Sequence, residues 1–378
     1  LRVVGSLLGS LDDPTVDLLL RLDDGVWNRL TNARLRARFV RRGTALGFSS
    51  VRLHHAAGFV AGDVGFDLDK PAKLRVDGSA ALREPVEVLR ILGIETPPRQ
   101  LDRVAGHFEL GGVLEPLALE WTANGRVAVQ LVAEAGAAAL PLDWTAKGKF
   151  TEHDGEVVGS ARSRDTIHAQ VEHRWSKSRF GGTAEVEVTD LRGIAAYVGQ
   201  AVRQLGLSGA ARAASQWSNH PREELCVSAN AREITVLGDA LRDFECTATL
   251  QGATQWEIGP CRGRDRTGGA VGIEGTWNLA DENRRRWKVE AEQVSAEVLA
   301  GVAAAATGVV LPISRGRVNG SVEFRGAPAS GMVANVEVRQ FRLYREPISL
   351  LRIELANERG HWQLASELAR RDGAERLT

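Results

Sequence analysis

The sequence has 378 residues, enough for more than one compact domain or for one extended array of repeats. Basic and acidic residues number 48 each, so no net field attracts nucleic acid, and we expect no nucleic-acid partner. Apolar residues make up 43% and charged residues 25%, a balance typical of a folded, water-soluble chain.

The first part of the chain, to about Pro98, is dominated by alternating runs. In the run from Asn32 to Val40, apolar Leu35, Ala37 and Phe39 alternate with three arginines. This period of two predicts a strand with one apolar and one solvated face. Similar runs predict further strands at 17–22, 51–53, 59–68 and 73–82. The period changes from Glu84 to Gly93, which predicts a short helix that ends at the glycine.

The middle of the chain returns to strands at 103–110 and 116–121. Asn124-Gly125 predicts a two-residue hairpin turn, followed by a partner strand over 126–135. More strands are predicted at 141–150, 156–162, 166–175 and 182–188, with a turn at His153–Gly155. Asp190 predicts the cap of a second helix that runs to about Leu205.

The remainder begins with a predicted loop from Ser208 to Pro221. Strands are then predicted at 225–229, 233–237, 243–250, 254–258, 270–279 and 286–293. Apolar spacing predicts a third helix from Ser295 to Thr307, ended by Gly308. The last strands are predicted at 322–324, 334–343, 350–355 and 362–364.

One short phrase recurs along the chain, and it reads Arg-Val-x-Gly followed by Ser or His. Its four close copies and one looser copy are Arg2–Ser6, Arg75–Ser79, Arg103–His107, Arg317–Ser321 and Glu156–Ser160. The residues Pro98, Arg103 and Gly106 share one offset with Pro312, Arg317 and Gly320, which indicates an internal duplication of roughly 200 residues. The glycine of the phrase marks a bend or a close approach of a neighbouring strand.

These elements predict a mainly β protein, as a long curled antiparallel sheet with a few short interspersed helices. A sandwich or a closed barrel is the alternative architecture. We divide the chain into a β-meander with a helix (1–98), two β-groove repeats that each end in a helix (99–206 and 207–308) and a strand repeat (309–378). Together they are expected to form one continuous elongated unit.

The repeated strands, punctuated by short helices and by Pro97-Pro98 or Leu311-Pro312 before the next phrase, resemble the AsmA-like family of Gram-negative envelope proteins. The best-matching stretches are Arg75–Trp121 and Ser295–Phe324, with Leu1–Leu22 weaker. The resemblance implies a repeating β-groove with a hydrophobic interior, a periplasmic location and an N-terminal inner-membrane helix. We expect that helix to lie outside these 378 residues, in a longer protein.

Such a groove would carry or shield the acyl chains of phospholipids or other lipids between the inner and outer membranes or their proteins. Each methylene group that leaves water gains ~0.8 kcal/mol, and no chemistry is needed. The candidate groove residues are apolar positions that alternate along four predicted strands: Phe108, Leu110, Leu117, Leu119, Val127, Val129, Val322 and Phe324.

Two other function classes stay open at this point. The protein is alternatively an assembly factor for outer-membrane proteins, or an interaction array of β-sandwiches in which the apolar faces pack against each other and leave no groove. An enzyme is not expected, because no catalytic constellation is visible.

No cofactor or metal site is expected from the sequence. His54-His55 and the pair His168 and His173 are of a ligand type, but no suitable third ligand recurs near either pair. The glycine-rich segment Cys261–Gly269 lacks the order of a phosphate-binding loop. The three cysteines, Cys226, Cys246 and Cys261, are compatible with one disulfide or with buried thiols.

Overall fold

The structure, a computed structural model, is mainly β. It describes residues 2–9, 14–27, 30–69, 71–91, 101–130, 138–164, 166–194, 197, 206–220, 224–236, 239–251, 254–278, 281, 284–297, 313–326, 331–343, 346–358, 361–370 and 373–375. Within these residues lie 25 strands and one α-helix, and the chain divides into two units, 1–182 and 183–378.

Unit 1 is an antiparallel sheet in which each strand from β1 to β11 pairs with the next strand along the chain. The strands are β1 (Arg2–Gly9), β2 (Pro14–Trp27), β3 (Leu30–Arg42), β4 (Ala45–His55), β5 (Gly58–Asp67), β6 (Lys73–Leu82), β7 (Leu101–Leu114), β8 (Leu117–Val129), β9 (Leu140–Thr151), β10 (Asp154–Ser163), β11 (Ile167–Ser176) and β12 (Arg179–Val188), which crosses the unit boundary. Helix α1 (Pro85–Ile91) connects β6 to β7.

Unit 2 has the same meandering, antiparallel order. Its strands are β13 (Ser208–Gly209), β14 (Ala211–Ser218), β15 (Glu224–Val236), β16 (Asp239–Gln251), β17 (Gln255–Asp265), β18 (Ala270–Asn278), β19 (Arg286–Ser295), β20 (Ile313–Ser314), β21 (Arg317–Arg325), β22 (Gly331–Leu343), β23 (Glu346–Glu358), β24 (His361–Arg370) and β25 (Gly373–Glu375). β20 lies between β19 and β21 along the chain, but the sheet continues because β19 and β21 pair directly with each other.

The strand register sorts side chains onto two faces, because direct cross-strand partners share a face. One row across β5 to β11 is apolar or glycine: Phe66, Leu74, Gly112, Leu119, Phe150, Gly155 and Trp175. The adjacent row on the other side is mainly charged: Gly65, Arg75, Gly111, Glu120, Lys149, Glu156 and Arg174. We call these two sides the apolar face and the charged face. This alternation confirms the period of two in the sequence.

Among the described residues of unit 1, no second layer packs on the apolar face. The buried apolar residues described in unit 1 are few and mostly small, namely Ala33, Ala37, Ala57, Leu119 and Leu140, and several large apolar side chains, such as Leu7 and Phe180, are exposed. The chain exposes 24808 Å². Two separate compact proteins of half its mass would together expose only about 18,000 Å². The open antiparallel sheet of the sequence prediction is therefore confirmed, and the sandwich and closed-barrel architectures are not observed.

The predicted hairpin at Asn124-Gly125 is wrong. Both residues lie inside β8, which replaces the two shorter strands predicted at 116–121 and 126–135. Gly125 faces Gly106 on one side and Trp144 on the other. A Cβ atom at Gly125 would lie 2.0 Å from the Ala105 carbonyl oxygen. This glycine is therefore required by close packing between strands, not by a turn.

The loop predicted from Ser208 to Pro221 is also wrong, because β13 and β14 occupy most of it. Small side chains on one face of β14, such as Ala213 and Ser215, pair with Ala229 and Val227 of β15. The composition of the segment predicted a loop, but its side chains alternate between two faces and pair in register with β15.

The three predicted helices have different outcomes. The first is confirmed as α1, although its predicted end at Gly93 lies outside the described residues. In the second, Asp190 Oδ1 accepts a hydrogen bond from the backbone N–H of Arg192 at 3.0 Å, and residues 191–194 form turns. Most of the second helix and nearly all of the third lie outside the described residues. The four-segment division of the chain stays a prediction, and the unit boundary falls within its second segment.

Unit 2 contains a small packed core at the start of the predicted third helix. The buried residues are Ala296, Val318, Val338, Phe341 and Ile348, with half-buried Val336, Leu343, Leu351 and Leu368 around them. This cluster lies where β19 ends and β21 begins, and it packs Ala296, which follows β19, against the sheet.

Asp265 connects three segments beside this core, and it is only 3% exposed. Its Oδ1 accepts hydrogen bonds from the N–H and hydroxyl groups of Thr267 and from the N–H of Gly269, at 2.9, 2.7 and 2.7 Å. Its Oδ2 accepts one from Ser295 N–H at 2.7 Å and lies 3.8 Å from Arg317 Nη1. Burial acts to raise the pKa of Asp265, but these hydrogen bonds outweigh it and lower the pKa.

We predict that Asp265→Asn lowers the free energy of unfolding at pH 7 by about 2–3 kcal/mol, because an amide nitrogen would face the Ser295 N–H donor. A lowered pKa stabilises the fold above the unfolded value, and this stabilisation is lost as the pH falls through the folded value. The difference between wild type and variant should therefore shrink below about pH 4.

Urea unfolding at pH 7 and pH 3 measures this difference. Asp243→Asn, at an exposed acidic residue of the same unit, serves as the matched control and should change little at either pH. An equal loss at both pH values would contradict the charged role assigned to Asp265.

Candidate functional site

The apolar face of unit 1 contains a groove of about 1020 Å³ that crosses six strands, β4 to β9. Its apolar lining includes Phe66, Leu74, Leu110, Leu119 and Phe150. Neighbouring strands are spaced about 4.8 Å apart, so a flat layer of six strands would offer no such recess. The sheet of unit 1 is therefore curled at this point, with its apolar face on the concave side.

Two further recesses lie on the same face. One, of about 530 Å³, is lined by Phe150, Gly155, Trp175 and Phe180, and it shares Phe150 with the groove. The other, of about 490 Å³, is lined by Leu82, Val104 and Val127 near the opposite strand ends, with His55 beside them. The accessible apolar surface therefore extends along and across unit 1 beyond a single pocket.

Aromatic rings lie over glycines of the neighbouring strand on this face. A Cβ atom at Gly148 would be 2.5 Å from Trp121 Nε1, and one at Gly155 would be 2.0 Å from the Trp175 ring. A Cβ atom at Gly78 would likewise meet the ring of Phe108, at 2.6 Å. Aromatic groups that cover glycine in a neighbouring strand are a known way to pin register and to shield a bare backbone. The aromatic rings therefore add apolar surface where the glycines have no side chain.

The recurring phrase is explained by this arrangement. In the copy Arg75–Ser79, Val76 pairs with Leu110 and Gly78 pairs with Phe108, so the valine and the glycine lie on the apolar face. The arginine and the serine lie on the charged face. The same positions of the other copies, Val104 with Gly106 and Val318 with Gly320, follow the same rule. The interpretation of the glycine as a point of close approach is confirmed.

All six candidate groove residues of unit 1 share its apolar face. Phe108 and Leu110 lie on β7, and Leu117, Leu119, Val127 and Val129 lie on β8. Leu110 and Leu119 line the groove, and Val127 lines the recess at the other strand ends. Whether lipid contacts them stays a prediction.

The two candidates of unit 2 lie on β21, also on an apolar face. Val322 pairs with Val289 and Ala334, and Phe324 pairs with Trp287 and Met332. Each unit therefore presents an apolar face of its own, built by the same alternation.

Four aromatic residues of the groove and its neighbour were not singled out from the sequence, namely Phe66, Phe150, Trp121 and Trp175. Three of them, Phe150, Trp121 and Trp175, share a signal, which is an aromatic residue at an apolar position of one strand and a glycine at the paired position of the next. Phe66 pairs with Leu46 and Leu74 instead. That signal becomes visible only when the register is known.

The charged face carries ion pairs between neighbouring strands. Lys149 Nζ lies 2.9 Å from Glu120 Oε1, and the hydrogen bond to this carboxylate raises the pKa of Lys149. On β2 and β3, the hydrogen bond from Arg38 lowers the pKa of Asp17. These pairs are exposed to solvent, so they mark the face that remains in water rather than a strong source of stability.

Neither histidine pair considered in the sequence is brought together on one face of the sheet. His54 and His55 are adjacent on β4 and point to opposite faces; the first stacks on Phe59, and Nδ1 of the second accepts a hydrogen bond from Ala57 N–H at 3.1 Å. His168 and His173 lie on β11, where alternation also places them on opposite faces. Among the described residues, the cluster of ligand-type groups involves a different histidine.

The cysteines resolve into one disulfide and one thiol. Cys246 of β16 is bonded to Cys261 of β17, whereas Cys226 is a half-buried free thiol. The glycine-rich turn that follows Cys261 does not offer its N–H groups to a phosphate, because Asp265 accepts those of Thr267 and Gly269.

In the part of the chain that the structure describes, no helix combines the length and the apolar character of a membrane span. Comparison of the sequence with protein-family models and with curated proteins gives no match.

We predict that Gly148→Ala destabilises unit 1 by about 1–3 kcal/mol, because the new methyl group overlaps both Trp121 and the Glu156 carbonyl oxygen. Gly65→Ala is the matched control on the charged face, where the nearest atom to the new methyl group is 4.0 Å away. It should be neutral, or stabilise by about 0.4–1 kcal/mol through the unfolded state.

Urea unfolding followed by tryptophan fluorescence measures both variants. Equal stability of the two variants would show that Trp121 does not lie over Gly148.

Proposed function

We propose that this protein binds the acyl chains of phospholipids or other lipids on its apolar faces, and carries or shields them between the inner and outer membranes. The observation that carries the proposal is the groove of about 1020 Å³ on the uncovered apolar face of unit 1. A water-exposed apolar surface of this size on a folded protein is typical of a binding site for an apolar partner.

The energetics of such a surface suit a flexible acyl chain. Each methylene that leaves water contributes about 0.8 kcal/mol, so ten methylenes contribute roughly 8 kcal/mol before the costs of association. A chain that lies along the groove needs no polar partner inside it. The headgroup remains in water beyond the groove.

The charged residues along the groove do not point into it. Asp67, Glu109, Glu120, Lys73, Arg75 and Lys149 border the groove, but the strand register places their side chains on the charged face. These side chains therefore do not select a headgroup, which supports a carrier that recognises acyl chains and discriminates little between headgroups.

Two observations support a periplasmic location. The disulfide between Cys246 and Cys261 is of a kind that persists in oxidising compartments. The repeated strands also resemble the AsmA-like family, whose members belong to the Gram-negative envelope. Lipid transport between two membranes would follow from that location, with partner proteins at each membrane and no catalytic step.

Photo-crosslinking tests the proposal directly. A benzophenone side chain is placed at Leu110 or Val129 on the apolar face, and at exposed Lys147 on the charged face as the matched control. We predict lipid adducts at positions 110 and 129 in protein purified without detergent, and none at position 147. Native mass spectrometry of the same protein should show lipid-sized mass additions.

Absence of lipid from both measurements would overturn the proposal. Crosslinks from position 110 to polypeptide rather than lipid would instead identify an assembly factor for outer-membrane proteins. Crosslinks between the apolar faces themselves would identify a packed interaction array.

A further inference from the structure

The charged face of unit 1 contains a row of carboxylates that lacks a basic partner. Asp63, Asp77 and Glu109 are direct lateral partners on β5, β6 and β7. Like charges that face each other across strands are destabilising. In the described part of the chain, no lysine or arginine forms an ion pair with Asp77 or Glu109, although such pairs connect other strands of this face.

A histidine completes this row. His107 precedes Glu109 by two residues, so both side chains lie on the same face of β7. Its Nε2 atom lies 3.4 Å from Glu109 Oε1 and 3.8 Å from Asp77 Oδ1. One ligand atom from each of the three residues lies within 4.8 Å of the others.

The contact between His107 Nε2 and Glu109 Oε1 is a long hydrogen bond, and its length also matches the spacing of two ligand atoms on one metal ion. N–H···O bonds are strongest at donor–acceptor distances of about 2.7–3.2 Å. Zinc bonds nitrogen and oxygen at about 2.0–2.2 Å, so neighbouring ligand atoms of a tetrahedral site are about 3.3–3.5 Å apart. Small rotamer adjustments of Asp77 and Glu109 would therefore bring all three ligand atoms onto one ion.

We propose that Asp77, His107 and Glu109 bind a divalent transition metal ion, with Zn²⁺ as the best fit to one imidazole and two carboxylates. His107 Nε2 and one oxygen of each carboxylate are the ligands, and water takes the remaining position because the site is open to solvent. The ion balances the charge of the two carboxylate ligands and connects β6 to β7. The site lies on the face opposite the groove, so it does not depend on the proposed lipid function.

Zinc titration of the full chain tests the site. The protein, freed of any histidine tag and treated with a chelator, is titrated with ZnCl₂ by calorimetry, and with Co²⁺ to record the absorption of a tetrahedral complex. We expect one ion per chain, and a thermal unfolding midpoint that rises with zinc.

Three variants assign the ligands. His107→Gln and Glu109→Gln should each weaken zinc binding at least about tenfold, in line with the effect of disturbing a metal site. His168→Gln, at another exposed histidine of the charged face, is the matched control and should bind zinc like the wild type. His107→Gln and Glu109→Gln should also lose the zinc-dependent rise in the unfolding midpoint, whereas His168→Gln should keep it.

Absence of a stoichiometric zinc complex would overturn the proposal and leave His107 as a hydrogen-bond partner of Glu109. Equal weakening by His107→Gln and His168→Gln would also overturn it, because zinc would then bind surface histidines without a defined site. Lipid crosslinking at position 110 is read separately, so failure of one proposal does not decide the other.

Discussion

The structure depends on one constraint: direct partners in an antiparallel ladder share a face, so a register kept from strand to strand keeps every side chain on its side. In unit 1 ten consecutive strand pairs, from β1–β2 to β10–β11, follow this rule, and irregularities such as β-bulges shift the register locally in four of them. A slip by one residue in any strand would move its leucines and valines into the charged row. The recurring phrase places a valine and a glycine on the apolar face and therefore fixes this register where it recurs.

The apolar face that results is accessible because nothing in the described structure packs over most of it. Backbone hydrogen bonds hold the sheet, and aromatic rings over glycines such as Gly148 and Gly155 shield the backbone that side chains leave bare. Unit 2 shows the same alternation of apolar and polar faces. It also has a small packed core, and the buried Asp265 connects three segments beside it. The proposed lipid site and the proposed metal site are thus consequences of the same alternation, one on each face.

Much of the fold was predictable from sequence because a period of two is a local signal. The run Asn32–Val40 and the helix at Pro85–Ile91 needed no knowledge of their neighbours. The wrong or missing predictions concern residues whose role depends on the neighbouring strand. Gly125 resembled a turn residue and is a packing residue. Likewise, the clustering of His107 with Asp77 requires knowing that β6 pairs with β7, because thirty residues of sequence separate these two side chains. The disulfide partners of unit 2 were undetermined for the same reason.

Contact between acyl chains and the apolar face is the central claim, and tryptophan fluorescence tests it most directly. Trp121 and Trp175 are half-buried on that face, beside the groove and its neighbouring recess. Phospholipids with bromine atoms on their acyl chains quench tryptophan on contact. Such lipids should quench wild-type fluorescence, and the quenched fraction should fall in the Trp121→Phe, Trp175→Phe double variant. Fluorescence that brominated lipids leave unchanged, with the lipid in excess, would contradict the account.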